Sequence, residues 1–178
     1  MSEGITEGRA FVFGDDIDTD QLAPGQYMAA PLEILAAHCL EAVDPAFAGS
    51  VGQGDVIVAG KNFGMGSSRE QAAQALKALG IAGVVAPSFG GIFHRNAINV
   101  GLPVFTAQIG DEVAAGDRVA LDVFGARLVN VTRQTAIALD PLPPFLLELI
   151  DDGGLVPHLE KRFAKLKTGE STQKEFRS

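Results

Sequence analysis

Apolar and polar positions alternate, cluster or recur at helical spacing along this 178-residue chain, and each pattern predicts a different element. Residues 9–13 (RAFVF) alternate as a short strand closed by Gly14. The next stretch, 15–25 (DDIDTDQLAPG), is acidic and rich in turn formers, which predicts a loop. Pro31 stands where a first helical turn tolerates proline, and Leu32, Leu35, Ala36 and Cys39 recur at helical spacing, predicting a helix over 31–41. A Gly54-Asp55 turn then precedes the apolar run 56–59 (VIVA), the pattern of a strand buried on both faces.

The middle of the chain has the clearest grammar. Strand 56–59 leads into the glycine-rich GKNFGMGSSRE and a helix from about 69 to 79, stopped by Gly80. A second strand over 81–86, a loop and short helix (SFGGIFHRNAINVG) and a third strand starting at 103–105 complete β-α-β-α-β, the order of a parallel sheet with helical crossovers. The style then changes. Val113, 114–116, 118–123, 127–131 and 135–139 read as short strands separated by Gly/Asp turns, predicting an antiparallel layer beside the parallel one. Prolines at 141, 143 and 144 break the pattern, and terminal helices follow over 145–150 and 155–166. The expected organisation is one α/β domain over 1–166 and a polar C-terminal tail over 167–178.

Composition narrows the chemistry. An apolar fraction of 47% with few aromatics suits closely packed α/β layers rather than disorder. Fourteen basic against 22 acidic residues give a net charge of −8, which argues against a nucleic-acid surface and means that any anionic ligand must be attracted by local donors. Cys39 is the only cysteine, so the chain can form no internal disulfide and cannot hold a four-thiolate cluster. His38, His94 and His158 lack zinc-ligand spacing, so no metal site is expected. The N-terminus has no signal-like pattern and no apolar run approaches the ~18 residues of a membrane span, so a soluble cytoplasmic protein is expected.

One segment, Gly64-Met65-Gly66-Ser67-Ser68-Arg69-Glu70, combines features that carry chemistry. Its glycines allow backbone angles closed to other residues and let a ligand approach the main chain. Ser67 and Glu70 fit an S-x-x-E capping box, which would put Ser67 at a helix N-cap with free amides and the positive dipole end facing the loop. Arg69 adds a planar fork suited to a carboxylate or phosphate. Taken alone, the segment also fits a plain helix cap beside a solvated arginine. A nucleotide-phosphate loop fits poorly, because neither G-x4-G-K-[ST] nor a correctly placed G-x-G-x-x-G is present.

Three longer blocks add to this. GKNFGMGSSREQA closely resembles the NFGCGSSREHA segment of isopropylmalate isomerase small subunits and the GSSRE segment of aconitases. FGDDIDTDQLAPGQYM resembles the opening loop of that family, with its D-x-D-T-D followed by P-x-x-Y-[LM], and SFGGIFHRNAINVGLP resembles a third block. The blocks occur in the family's order over roughly residues 8–106. The resemblance to these aconitase-type dehydratases implies a three-layer β/β/α swivelling domain with a parallel and an antiparallel sheet. It implies reversible loss and re-addition of water on a hydroxy-di- or tricarboxylate, most closely isopropylmalate in leucine biosynthesis. It also implies a large partner subunit that carries a [4Fe–4S] cluster, with none bound by this chain.

Carried over residue by residue, the resemblance implies that Ser67 is the catalytic base and that Ser68 and Arg69 bind a substrate carboxylate. Asp20 matches the acidic residue of the T-D pair, an active-site hydrogen-bonding group, while Asp18 has no such counterpart and is expected to stabilise the turn. Met65 replaces the family's usual Cys or Glu, a change the intact glycines and serines around it should tolerate. Residues after Tyr27-Met28 help the family choose the substrate's third arm, and Ala29 and Ala30 offer no cation for a third carboxylate. Dimethylmalate or another alkylmalate would fit as well as isopropylmalate, and a homoaconitate-type dehydratase, a stand-alone carboxylate-binding module and a purely structural subunit are the other candidates. Arg95 and Asn96 fit either a subunit interface or helix packing, His94 fits a structural or solvated role, and Cys39 fits the core.

Overall fold

The computed structural model describes residues 4–169. Among these, strands β1 (Ile5–Val12), β2 (Val56–Val58), β3 (Gly83–Ala86), β4 (Val104–Thr106), β5 (Arg118–Asp122), β6 (Arg127–Asn130) and β7 (Thr135–Ala138) form one mixed sheet in the order β4-β3-β2-β1-β5-β6-β7. Helices α1 (Thr19–Leu22), α2 (Leu32–Ala37), α3 (Phe47–Ser50), α4 (Glu70–Leu79), α5 (Gly91–Asn99), α6 (Pro144–Asp151) and α7 (Leu155–Lys167) complete the α/β fold. The predicted β-α-β-α-β run is β2-α4-β3-α5-β4, with Gly80 closing α4 in the left-handed conformation at φ 101°.

Both expected kinds of pairing are present, but as two halves of a single curled sheet joined through β1. The start of β1 pairs antiparallel with β5, from Ile5 opposite Asp122 to Arg9 opposite Arg118. Its end pairs parallel with β2, from Ala10 opposite Val56 to Val12 opposite Val58. Local alternation predicts only 9–13 as strand; the partner of Ile5–Gly8 lies more than a hundred residues away, beyond any local signal.

Side-chain alternation divides the core into two clusters. Ile57, Val84, Ala86 and Val104 face one way and pack with Leu22, Leu35, Phe47, Leu76, Phe93 and Ile98 from the helical side. Their neighbours Ala10, Val56, Val58, Val85 and Phe105 face the other way, against Val119, Leu121, Leu128 and Ile137 of the antiparallel half. The parallel strands are thus covered on both faces, as their uninterrupted apolar sequence requires. Full burial of each such Leu, Ile, Val or Phe stabilises the fold by about 1.5–3 kcal/mol.

Other differences from the sequence expectation have local causes. The acidic stretch 15–25 contains α1, because Asp18 and Gln21 form a reciprocal capping box: Gln21 N–H donates to Asp18 Oδ1 at 2.8 Å and Asp18 N–H to Gln21 Oε1 at 2.9 Å. Asp18 therefore stabilises the turn, as expected. Helix α2 ends at Ala37 rather than reaching 41, since the chain turns through Leu40 at φ 59°. Residues 113–116 form a turn instead of strands, with Asp117 Oδ2 accepting from Ala114 N–H at 2.9 Å. Helix α7 runs one residue past the expected domain end, and the remainder of the expected tail from residue 170 lies outside the described residues.

Strands β1, β2 and β3 run parallel, so the loops that follow them leave the same edge of the sheet. In open α/β sheets the carboxyl ends of parallel strands are where ligands bind. That edge holds the glycine-serine-arginine segment.

Candidate active site

Three loops are laced together at this edge. Lys61 C=O accepts from Asp16 N–H at 2.8 Å, Ile17 C=O from Gly64 N–H at 2.6 Å and Met65 C=O from Thr19 N–H at 2.9 Å. On the other side Phe63 N–H donates to Ser88 C=O at 3.1 Å, and Phe63 C=O accepts from Gly90 N–H at 2.8 Å. Below the loops the Phe63 and Phe93 rings meet edge-to-face with centroids 5.3 Å apart. Gly64 is required here: its φ is +77°, and a Cβ would lie 2.2 Å from Phe93 Cγ.

The laced loops present Ser67 and Ser68 at the surface, both exposed. Ser67 is not the N-cap of α4, contrary to the capping-box expectation. The helix starts at Glu70, and Arg69 occupies the cap position with extended backbone angles and no side-chain cap. The reason is competition from a residue distant in sequence. Thr19 Oγ1 accepts the Ser67 amide at 3.1 Å, and the Thr19 and Ser67 hydroxyls lie 3.2 Å apart. Ser67 is thereby held to α1, and the first turn of α4 keeps its amides free of any side-chain cap among the described residues.

Arg69 is also held from α1. Its Nη1 donates to Ala23 C=O at 3.0 Å and forms an ion pair with Asp20. The Arg69 side chain is 25% exposed and Asp20 is 70% exposed, so the pair sits at an opening where an incoming carboxylate can reach it. Gly25, in the 3-10 turn Gly25–Tyr27, passes beside Arg69, with its Cβ position 3.8 Å from Nη2. Ala29 is exposed and Ala30 half-buried in the turn that follows, while the Tyr27 ring stacks on His38 at 3.7 Å. The structure thus joins Ser67, Arg69 and Asp20 in one neighbourhood through α1, with Ser68 beside them in the chain. Of the segment that follows α1, Gly25 is the residue seen to approach Arg69.

The remaining candidates fall elsewhere. His94 is half-buried on α5 with its ring 5.9 Å from that of Phe89, and burial lowers its pKa below the ordinary histidine value. Arg95 is exposed and Asn96 half-buried on the same helix. Cys39 is fully buried in the core, and that burial pushes its thiol pKa up to about 12, which leaves a neutral, unreactive group. Among the described residues no group of three or more His, Cys, Asp or Glu is arranged to hold a metal ion. None of their helices is long and apolar enough to cross a membrane.

Sequence reasoning passed over Thr19. Its signal is faint but present: a threonine that the structure buries to 2% exposure, flanked by aspartates in a stretch whose composition predicts a loop.

Comparison with known proteins finds relatives of the chain. The family described as the aconitase C-terminal domain matches residues 24–108. A 3-isopropylmalate dehydratase small subunit from Moorella thermoacetica is 50% identical over 161 residues, covering 89% of this chain and 96% of the relative. A methanogen homoaconitase small subunit from Methanothermobacter thermautotrophicus is 46% identical over 160 residues, covering 89% and 93%. The crystal structure of a 3-isopropylmalate dehydratase from Methanocaldococcus jannaschii superposes with a TM-score of 0.88 at 44% identity, covering 93% of this chain and 99% of that one.

Proposed function

This chain belongs to the family of 3-isopropylmalate dehydratase small subunits, and from that membership we propose that it is the small subunit of a heteromeric hydro-lyase of leucine biosynthesis. The enzyme dehydrates and rehydrates an alkylmalate, isopropylmalate being the best fit, and works only when this chain meets its large subunit. The observation that carries the chemistry is an exposed serine and a semi-exposed arginine two positions apart, both held to α1 at the carboxyl edge of parallel strands. The layering of sheet on sheet on helix in the two core clusters supports the swivelling three-layer arrangement.

In this proposal Arg69, Ser68 and the uncapped amides of α4 hold a substrate carboxylate. Asp20 orients the Arg69 fork until the carboxylate takes its place. Ser67, as the alkoxide, removes the proton from the carbon next to the carboxylate, and hydroxide leaves the adjacent carbon to give an alkene. Arg69 and the α4 dipole favour the negative oxygen. Water then re-adds in the opposite sense and the serine returns the proton. A [4Fe–4S] cluster takes cysteine thiolates, and the one cysteine here is a buried neutral thiol, so this chain's residues do not fit that group. The proposal assigns it to the large subunit, where it would supply the Lewis acid for the departing hydroxyl.

The direct test mixes this chain with a cluster-bearing large subunit and assays dehydration. Activity should appear in the mixture and in neither component alone; activity of the isolated chain would overturn the heteromeric assignment.

A second substrate class is favoured by one specific finding, the 46% identity to a homoaconitase small subunit. Ala29 and Ala30 weigh against it, because a third carboxylate arriving without a cation loses several kcal/mol on desolvation, whereas each buried CH2 gains only about 0.8 kcal/mol. Alkylmalates should therefore differ among themselves by roughly tens of fold in kcat/KM, while tricarboxylates should be far worse. Ala29→Arg should shift preference toward tricarboxylates. Comparable activity of the unaltered enzyme on homocitrate-type acids would overturn the alkylmalate assignment.

A further inference from the structure

We propose that Thr19 is a positioning residue for Ser67: it fixes the serine hydroxyl and donates its own proton to that oxygen when the oxygen is negative. The inference rests on the assignment of Ser67 as the base. The Thr19 side chain is buried, and its oxygen already accepts the Ser67 N–H at 3.1 Å. One hydroxyl proton remains to be placed, and the Ser67 oxygen 3.2 Å away is the partner the geometry offers. With neutral serine either oxygen can donate. With the alkoxide only threonine can. A separation of 3.2 Å exceeds the usual hydroxyl contact of about 2.7–2.8 Å, and a charged acceptor would shorten it.

Thr19 is held firmly enough for this. Its N–H donates to Met65 C=O at 2.9 Å, its C=O accepts from Ala23 N–H at 2.9 Å, and the Asp18–Gln21 capping box closes around it. Its β-branched side chain has few rotamers to lose. Gly66 makes room: it sits at φ +114°, and a Cβ there would lie 3.0 Å from Thr19 Oγ1. Serine, glycine and threonine thus form one device across two loops.

The test compares Thr19→Val, which keeps the shape, with Thr19→Ser, which keeps the hydroxyl, in the assembled enzyme. Thr19→Val should lower kcat about ten- to hundredfold, the effect of a lost hydrogen bond to a charged oxygen, with KM changed by about twofold or less. Its kcat–pH profile should move to higher pH, because the alkoxide has lost a donor. Thr19→Ser should stay within about threefold of the parent enzyme. If Thr19→Val does not fold, Thr19→Cys replaces it, since a thiol is a weak donor of similar size, and the same loss and pH shift are expected. An unchanged kcat and pH profile in the hydroxyl-free variant overturns the proposal, as does a Thr19→Ser variant as impaired as the valine one. Ser67→Ala assayed in parallel separates the two levels. If it is inactive while Thr19→Val is normal, only the threonine role fails; if Ser67→Ala is itself active, the base assignment falls and this inference with it.

Discussion

The two halves of the sheet, one parallel and one antiparallel, differ in what their ends leave free. In the antiparallel half, strands are joined by the short turns 123–126 and 131–134, and the polar side chains there are consumed in closing them. Asp122 accepts from Gly125 N–H at 2.7 Å and from Arg127 at 2.9 Å; Asn130 donates to Asp117 at 2.8 Å and accepts from Arg133 N–H at 3.1 Å. In the parallel half, the crossover helices allow long loops at one edge, and those loops hold Ser67 and Arg69 with partners that a ligand can displace or share. A polar group spent on its own turn cannot also serve a substrate. Parallel topology, by sending successive loops to the same edge, leaves some polar groups unspent.

The sharpest way to break this comparison is Ser67→Ala in the assembled enzyme. Loss of the base should lower kcat by a factor of a thousand or more with KM nearly unchanged, and steady-state kinetics read both. Near-normal turnover would move the chemistry elsewhere. Leu128→Ala tests the other half. Removing this buried side chain should cost about 2–5 kcal/mol of stability, measured by denaturant unfolding, while kcat per folded molecule stays unchanged. A kcat loss comparable to that of the serine variant would mean that the halves are not functionally distinct. Arg69→Lys should raise KM by roughly tens of fold with a smaller change in kcat, because lysine retains the charge but not the bidentate fork.

The smallest effect concerns acid. Asp122 has its pKa lowered from 3.8, first by the Gly125 amide and then by Arg127. Its contribution to stability is therefore fully present above the ordinary carboxylate pKa of about 3.9 and is lost as pH falls through the lower folded value. Asp122→Asn should flatten the decline in stability below about pH 4, measured by thermal melts across that range. Identical acid profiles would show that this turn charge contributes nothing measurable.

The parts legible from sequence were those whose cause is local. Gly80 at the end of α4 and the apolar run in β2 announce themselves within a few residues, as do the β5, β6 and β7 spacings. The members of the candidate site are legible as a list in the sequence, and α1 joins them, Arg69 through Asp20 and Ser67 through Thr19. The site's internal wiring is not legible there. Ser67-x-x-Glu70 satisfies a local capping rule, yet Thr19, 48 positions away, takes the serine instead. The same limit hid the first half of β1 and the helix inside the acidic loop, where Asp18 rather than Ser67 forms the capping box.

Because β1 belongs to both halves of the sheet, the order of synthesis matters. It leaves the ribosome before both partners: the β2 partner of its end follows within about fifty residues, but the β5 partner of its start comes more than a hundred residues later. At about 5–20 residues per second, that interval lasts on the order of 5–20 seconds. Throughout it the nascent chain presents an unpaired strand edge, the feature most prone to recruit a neighbouring polypeptide. Glu7 and Arg9, which end paired with Arg118 and Asp55, put charge on that strand, and charge on an exposed strand disfavours edge-to-edge pairing.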